Sequence, residues 1–352
     1  MAKAPVRIGI IGAGANTRQR HVPGLRAVDG VQISGVVNRT PKSTAAAAKS
    51  LGIDRTFSDW RKLVEDPQID AIVIGTWPNL HCEVTCAALA AGKHVLCEAR
   101  MARDLAEAEQ MLAASRQHPQ LVSQLVPSPY GLQCGPAVEQ LIEEGFLGQL
   151  RELIVLGADD QFWDYSQSLH WRQQRELCGK NILSLGILHE SALRWVPAPT
   201  QVFAQGQLFE SQRPVPEDCR VAEVTVPDSL QVLTQIAGGA RGIYHQSGAI
   251  LFGPGKQIHL YGSRATIKVE FLPDGVEKLW LGYSGEPEMR LFEVPDDLRG
   301  RWRVEEEFIA AIRGDGEVTL TDFSMGVRYM QFVDAVSESA ASNRPVTLSA
   351  VE

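Results

Sequence analysis

The chain has 352 residues, of which 44% are apolar, and a formal net charge of −8 at pH 7. This length suits two domains, and the acidic balance excludes a nucleic-acid-binding surface, which requires clustered basic residues. The sequence contains no apolar run long enough to cross a bilayer, and its start, "MAKAPVRIGIIGAG", is not typical of a signal peptide. We therefore expect a cytoplasmic protein that binds neither nucleic acid nor membrane.

The first third of the chain alternates apolar runs with helical patterns. The predicted strands are "VRIGIIG" (6–12), "VQISGVVN" (31–38), "AIVIG" (71–75), "KHVLCE" (93–98) and "LVSQLV" (121–126), with helical patterns at 79–92 and 104–118 between later strands. Continuous apolar strands are typical of a sheet covered on both faces. This alternation predicts an α/β Rossmann domain with a doubly wound parallel sheet, which we assign to residues 1–125.

The glycine loop "IGIIGAGANTRQRH" follows the first strand. Gly12 and Gly14 end that strand, and Ala15 and Asn16 lead into a helix. The third glycine position of the dinucleotide fingerprint is Thr17, so the fingerprint is incomplete. Glycines at this turn let the backbone approach a pyrophosphate, which the helix N-terminus attracts. The loop therefore predicts a dinucleotide site.

The tip of the second strand reads "NRTPK" and contains no acidic residue. A carboxylate there would bind the ribose hydroxyls of NAD. Arg39 can instead pair with a 2′-phosphate, with Asn38, Thr40 and Lys42 beside it. We predict NADP as the cofactor, with NAD as the alternative.

The six cysteines form no Cys-x-x-Cys pair. Cys82 and Cys86 lie four residues apart beside His81, but reduced, buried thiols are the better interpretation, and we predict no metal site.

The pattern changes near residue 126. Segments such as "LRELIVLGA", "SLQVLTQIA" and "ATIKVEFL" predict a large, mostly antiparallel sheet, and helices follow at about 303–313 and 323–341. We assign residues 126–352 to this second, α+β domain.

Several segments in order resemble one family, the glucose-fructose oxidoreductase and inositol dehydrogenase group, Gfo/Idh/MocA. They are "VRIGIIGAGANTRQRHVPGL", "DAIVIGTWPNLHCEVTCAALAAGKHVLCEARMA", "WRQQRELCGKNILSLGILHESALRWV", "QIHLYGSRATIKVEF" and the ending "RPVTL". The resemblance implies a Rossmann domain and a second domain whose open sheet is covered by helices on one face. It also implies a nicotinamide in the cleft between the domains and a homodimer or homotetramer built through the free face of the sheet.

The chain departs from the family at its catalytic positions. The family usually has Glu-Lys-Pro where this sequence has Glu98, Ala99 and Arg100. The resemblance implies that the missing lysine would orient the reacting carbon and help move a proton. The family's aspartate and histidine positions are Ser184 and Leu188.

Other groups must then accept the hydroxyl proton in a hydride transfer. His189 is our first candidate, because it follows Leu188 by about 100° around the helix and has a near-neutral pKa. The alternative is a histidine packed against a neighbouring helix. Glu190, Arg100 and Lys180 are further candidates, Arg100 also as a clamp for an acid group.

The resemblance implies that Thr76, Trp77, His81 and Glu98 contact the cofactor, with a helix first-turn residue as the equal alternative for His81. Aromatic rings beside polar groups suit the faces of sugars, so we expect the substrate contacts to be Trp163, Tyr165, His170, Arg172 and Asn181, with Tyr244 and His245 as weaker candidates. Aromatic core packing is the alternative. The leading hypothesis is an NADP-dependent oxidoreductase that acts on a sugar, a sugar derivative or a cyclic polyol. The alternatives are glycoside cleavage or elimination with tightly held NAD, and a nucleotide-binding accessory protein without catalysis.

Overall fold

The computed structural model describes residues 5–215 and 219–348. The chain forms two compact units, one comprising the described residues up to Pro127 and Arg303–Val327, the other Ser128–Trp302 and the described residues from Arg328 onward. Arg303–Val327 therefore belong to the first unit, whereas a single boundary at 125/126 places them in the second. No helix among the described residues is long and apolar enough to cross a membrane.

The first unit contains a five-stranded sheet. Its strands are β1 (Val6–Ile11), β2 (Val31–Val37), β3 (Ala71–Ile74), β4 (His94–Cys97) and β5 (Ser123–Leu125), in the order β2-β1-β3-β4-β5. All neighbouring strands are parallel. Every residue of β3 is buried, as expected for a strand between two helical layers. The predicted doubly wound parallel sheet is confirmed.

The second unit contains a nine-stranded sheet and a two-stranded ribbon. The strands are β6 (Leu150–Ala158), β7 (Pro199–Gln207), β8 (Gln212–Val215), β9 (Arg220–Glu223), β10 (Ser229–Ile236), β11 (Arg241–Ser247), β12 (Gly255–Gly262), β13 (Ala265–Phe271), β14 (Glu277–Tyr283), β15 (Arg290–Phe292) and β16 (Val346–Thr347). The sheet order is β15-β14-β13-β12-β6-β11-β10-β7-β16, and β8 pairs with β9. Only β6 and β11 pair in parallel within this described sheet, so the mostly antiparallel prediction is confirmed.

Ten α-helices complete the described elements. They are α1 (Val22–Ala27), α2 (Pro41–Leu51), α3 (Trp60–Val64), α4 (His81–Ala90), α5 (Leu105–Gln117), α6 (Gly135–Glu143), α7 (Arg175–Cys178), α8 (Leu185–Leu193), α9 (Val304–Arg313) and α10 (Phe323–Ser342). A π-helical turn, Thr17–His21, leads into α1.

Helices cover one face of the second unit's sheet and leave the other open. Phe332 of α10 lies on Tyr244 of β11, with ring centroids 4.9 Å apart, and the Ser339 hydroxyl accepts a hydrogen bond from the backbone of Ala204 on β7. On the opposite face Leu233 and Ile243 are 56% and 46% exposed. Alternation of buried and exposed residues along β10 and β11 follows from this one-sided cover.

Candidate functional site

The glycine loop after β1 packs against the turn after β3. Gly12 has φ of +89°, and a side chain there would lie 2.7 Å from the carbonyl carbon of Gly75. The Thr17 hydroxyl donates to the Gly12 carbonyl at 3.1 Å and would collide with any side chain at Gly75. Gly14 is exposed, and an added Cβ there would make only an ordinary contact, 3.4 Å from the Gly75 carbonyl oxygen, so a diphosphate can approach the backbone there. Thr17, at the usual third glycine position, serves to hold the loop.

The second strand tip is organised by Asn38. Its side-chain carbonyl accepts from the backbone N–H of Ala13 at 2.7 Å, and its amide donates to the Ser43 carbonyl at 3.2 Å. Thr40 caps α2 through the backbone N–H of Ser43. Asn38 and Thr40, both predicted cofactor contacts, therefore hydrogen-bond to the backbone and fix the shape of this strand tip. Arg39, Thr40, Pro41 and Lys42 are all exposed at this tip, and Arg39 and Lys42 are the charged residues among them.

Arg39 and Trp77 meet above the sheet edge. The Arg39 guanidinium carbon lies 5.2 Å from the centroid of the Trp77 ring, within cation–π range. The two side chains come from the tips of β2 and β3, on either side of β1. This arrangement places a basic group and an aromatic face beside the glycine loop.

His81 is buried below the strand tips. Its Nδ1 lies 2.7 Å from the Arg100 carbonyl oxygen and its Nε2 lies 3.1 Å from the Thr76 carbonyl oxygen. Burial lowers the pKa of His81. The ring therefore ties the turn after β3 to the turn after β4, and its burial favours the structural role over the predicted contact with a cofactor.

The tip of β4, which carries the Glu98-Ala99-Arg100 step, is mostly buried. The bond between Ala99 and Arg100 is a cis peptide, and the side chain of Arg100 is buried. Glu98 accepts a hydrogen bond from the backbone N–H of Ala99 at 3.1 Å and is also bonded to Asn16 and His21. The predicted residues Asn16 and Glu98 are thus brought together.

In the second unit, His189 is 1% exposed and enclosed by other side chains. Its Nδ1 lies 2.8 Å from the Tyr244 hydroxyl, and its ring stacks on Phe332 with centroids 3.7 Å apart. Burial, and secondly the charge of Arg328, lower the pKa of His189 to about 3. The geometry favours the packed histidine over our first candidate for the base, because a proton acceptor must reach the substrate.

Glu190 is also committed to structure. One carboxylate oxygen accepts from the backbone N–H of Ser128 and from the Arg194 guanidinium, each at 2.9 Å. Lys180 is half-exposed, and its ammonium lies 2.6 Å from Asp334. Lys180 therefore differs from His189 and Glu190 in having access to solvent.

The predicted substrate residues divide into exposed and packed groups. Trp163 and Tyr165 are 51% and 63% exposed. The His170 ring accepts from the backbone N–H of Arg172 at 3.2 Å and so caps a short 3₁₀ turn, while the Arg172 guanidinium lies 4.3 Å from the ring centroid of Trp171. The weaker candidates divide likewise, because Tyr244 is buried and His245 is half-buried.

Two buried amides in this unit have atoms without a hydrogen-bond partner among the described residues. The Asn181 side chain accepts from the backbone N–H of Gly186 at 3.0 Å, but its amide nitrogen has no described partner. Neither polar atom of Gln246 has one, although the residue is fully buried over Gly157. Sequence reasoning missed Gln246, and a polar residue in the buried phase of β11 was the available signal.

The His21–Glu305 contact was missed as well. His21 Nδ1 lies 2.5 Å from Glu305 Oε1, although 284 residues separate them. No local pattern predicts such a pair, because it depends on the return of residues 303–327 to the first unit.

Comparison with known proteins identifies relatives across most of the chain. Residues 6–125 match the Gfo/Idh/MocA oxidoreductase family with its NAD-binding Rossmann fold, and residues 137–268 match a Gfo/Idh/MocA C-terminal domain. Levoglucosan dehydrogenase of Pseudarthrobacter phenanthrenivorans is 32% identical over 151 residues, which cover 42% of this chain and 38% of that protein. Myo-inositol 2-dehydrogenase of Thermotoga maritima is 21% identical over 266 residues, 74% of each protein.

A solved structure of levoglucosan dehydrogenase with NADH and L-sorbose superposes with a TM-score of 0.86. The two are 22% identical, and the match covers 98% of this chain and 99% of that one. At this identity the likeness shows the fold.

Proposed function

Because the chain belongs to the Gfo/Idh/MocA family of oxidoreductases, we propose that it oxidises or reduces a sugar, a sugar derivative or a cyclic polyol with a pyridine dinucleotide, preferably NADP(H). The observation that carries this proposal is the glycine loop. Gly12 and Gly75 have no room for side chains, and Gly14 is exposed. This cradle fits a diphosphate, which the N–H groups of residues 14–16 would bind. A bound dinucleotide supplies the hydride donor or acceptor.

The proposed preference for NADP rests on charge at the β2 tip. Asn38 and Thr40 hydrogen-bond to the backbone, and Arg39 and Lys42 are the charged groups exposed there. A guanidinium can pair with a 2′-phosphate, whereas the carboxylate that binds the NAD ribose has no counterpart at this tip.

Calorimetric titration of the protein with NADP⁺, NADPH, NAD⁺ and NADH tests cofactor binding. We expect NADP⁺ to bind more tightly than NAD⁺, and Arg39→Gln to weaken NADP⁺ binding about tenfold while leaving NAD⁺ unchanged. Arg61→Gln is a matched control, because Arg61 also stacks on a tryptophan, Trp60, away from the strand tips. Tighter binding of NAD⁺ would identify NAD as the preferred coenzyme. Absence of binding of all four dinucleotides would overturn the proposed function.

The substrate class is supported by the second unit and by the relatives. Exposed Trp163 and Tyr165 offer aromatic faces of the kind that stack on sugar rings, and Arg172 lies in the same loop region. Levoglucosan dehydrogenase and myo-inositol 2-dehydrogenase are named for an anhydrosugar and a cyclic polyol. We propose the same class of substrate for this protein.

A panel of sugars and polyols, followed by the ultraviolet absorbance of reduced nicotinamide, tests the reaction. Reduction of added NADP⁺ by a panel member is the expected result. Product formed while a bound dinucleotide stays unchanged would favour glycoside cleavage or elimination. Coenzyme binding without turnover of any substrate would favour an accessory protein.

We propose Lys180 as the group that moves the proton, in place of His189. Lys180 is half-exposed and paired with Asp334, whereas His189 and Glu190 are buried. Lys180→Met should lower kcat by about a hundredfold or more without changing coenzyme affinity. Lys256→Met is the control, because Lys256 is also paired with an aspartate, Asp159, at 3.0 Å. Equal activity of both variants would exclude Lys180.

We propose that the open sheet face forms a homodimer or homotetramer. Leu233, Ile243 and Phe203 line a shallow depression of about 370 Å³ on that face. Light scattering after size exclusion should give a dimer or tetramer, and Ile243→Asp should shift it toward monomer. Val221→Asp is the control at another exposed apolar residue, which lies on the β8–β9 ribbon. A monomeric wild-type protein would contradict this proposal.

A further inference from the structure

The first unit contains a buried ionic triad of His21, Glu98 and Glu305. The His21 ring is fully buried, with Nε2 2.9 Å from Glu98 and Nδ1 2.5 Å from Glu305. A carboxylate only accepts hydrogen bonds, so a ring flanked by two of them carries protons on both nitrogens. Burial would lower the pKa of His21, but the hydrogen bonds and charges of Glu305 and Glu98 raise it to about 9. His21 is an imidazolium at neutral pH.

The imidazolium keeps Glu98 ionised and fixed in orientation. Burial would raise the pKa of Glu98, but its hydrogen bond and ion pair with His21 lower it. Asn16 donates to the same oxygen as His21, and the backbone of Ala99 donates to the other at 3.1 Å. His81 also faces Glu98, although burial lowers the pKa of that ring.

Gly24 shows that the chain makes room for this triad. A side chain at Gly24 would lie 2.7 Å from Oε2 of Glu305. Glycine inside a helix costs about 1 kcal/mol relative to alanine. Glycine at this position of α1 therefore leaves room for Glu305 beside the turn that carries His21, at a cost in helix propensity.

Glu98 is the triad member that reaches solvent. Its side chain is 13% exposed, against 0% for His21 and 3% for Glu305. Glu98 follows β4, at the carboxyl edge of the sheet where ligands of such folds bind. With the order β2-β1-β3-β4, a dinucleotide whose adenosine lies at β2 and whose diphosphate lies at β1 extends its other half toward β4.

We propose that His21 and Glu305 are positioning residues that hold Glu98 as a fixed carboxylate at the nicotinamide end of the coenzyme site, where its charge favours the oxidised coenzyme over the reduced one. The oxidised nicotinamide ring carries a positive charge and the reduced ring does not. A nearby carboxylate therefore attracts one form selectively. This inference rests on the proposed function.

The ratio of the dissociation constants for NADP⁺ and NADPH (NAD⁺ and NADH if those bind more tightly) tests the proposal. Glu98→Gln should weaken binding of the oxidised form about tenfold and leave the reduced form nearly unchanged. Glu307→Gln is the control, because Glu307 is a buried carboxylate on the same helix as Glu305 and binds Thr319 at 2.8 Å. An equal change in both forms for Glu98→Gln would overturn the proposal.

A pH profile separates positioning from a merely structural role. The wild-type ratio should stay constant between about pH 5 and pH 8, because Glu98 remains ionised. In His21→Gln, Glu98 loses its imidazolium partner, so the preference for the oxidised form should fall as the pH falls toward 5. A flat profile in His21→Gln would contradict the proposal.

Two outcomes distinguish this inference from the function on which it rests. Failure of the wild-type protein to bind any pyridine dinucleotide would overturn the proposed function. Normal binding with a wild-type ratio that already changes between about pH 5 and pH 8 would overturn only the triad proposal, and this measurement requires no variant that must fold.

Discussion

His21 in the first unit and His189 in the second are both almost completely buried, but they differ in charge. His21 lies between Glu98 and Glu305, which hold its pKa at about 9. His189 lies against the Tyr244 hydroxyl and a phenylalanine ring, and burial lowers its pKa to about 3. Burial alone therefore does not decide the charge of a histidine, because carboxylate partners can outweigh the cost of desolvation.

The difference also separates the roles of the two units. The first unit holds a charged network at a strand tip, close to the glycine loop through Asn16. In the second unit, the His189 ring on α8 is neutral at pH 7, and Glu190 forms an ion pair with Arg194. The proposed proton-transfer group, Lys180, precedes this helix and is half-exposed.

Substitution of each histidine by glutamine should change stability unequally, and the loss at His21 should be the largest effect predicted here. His21→Gln leaves two buried carboxylates without their cation and should destabilise the protein by about 3 kcal/mol. His189→Gln exchanges one neutral polar side chain for another and should cost about 1 kcal/mol. Urea unfolding at pH 7 measures both, and equal losses would remove the proposed contrast.

The pH dependence of stability should run in opposite directions at the two sites. The folded-state pKa of His21 is raised, so its contribution, roughly 3 kcal/mol, is complete below pH 6.5 and lost as the pH rises through about 9. The folded-state pKa of His189 is lowered, so its contribution is complete above pH 6.5 and lost as the pH falls toward about 3. Unfolding of the wild-type, His21→Gln and His189→Gln proteins across this pH range measures the two contributions to stability, and NMR titration of the ring protons measures the two pKa values. A contribution with the opposite sign at either histidine would contradict the prediction.

Gly24→Ala should lower stability by less than His21→Gln does. The added methyl group meets Glu305 and must displace it from His21, which should cost about 1–2 kcal/mol despite the higher helix propensity of alanine. Gly316→Ala, at an exposed glycine whose added carbon would lie 3.4 Å from the Ala310 methyl group, should be nearly neutral. Melting temperatures that fall equally in both variants would show that the triad is not the cause.

Gln246→Met should have the smallest effect on stability, with the opposite sign. Neither polar atom of the Gln246 side chain has a partner among the described residues, so an apolar side chain of similar length should stabilise the protein by about 1 kcal/mol or less. If Gln246 binds a substrate hydroxyl, KM should rise at the same time. A fall in melting temperature with unchanged KM would show a structural hydrogen bond, for example to buried water.

The sequence predicted the first unit better than the second unit's site. Apolar runs marked the five parallel strands, and Gly12 and Gly14 marked the turn after β1, because both depend on local chain geometry. Helical spacing also made His189 a candidate. The spacing could not show that Phe332, far along the chain, covers that ring.

Taken alone, the amino-acid sequence determined the two-part architecture and the glycine loop, because both follow from residue type and local spacing. The tertiary structure decided which polar groups are charged and which are covered. Protonation depends on neighbours that the fold supplies, such as Glu305 beside His21, and the chain brings those neighbours together only after it has returned from the second unit to the first.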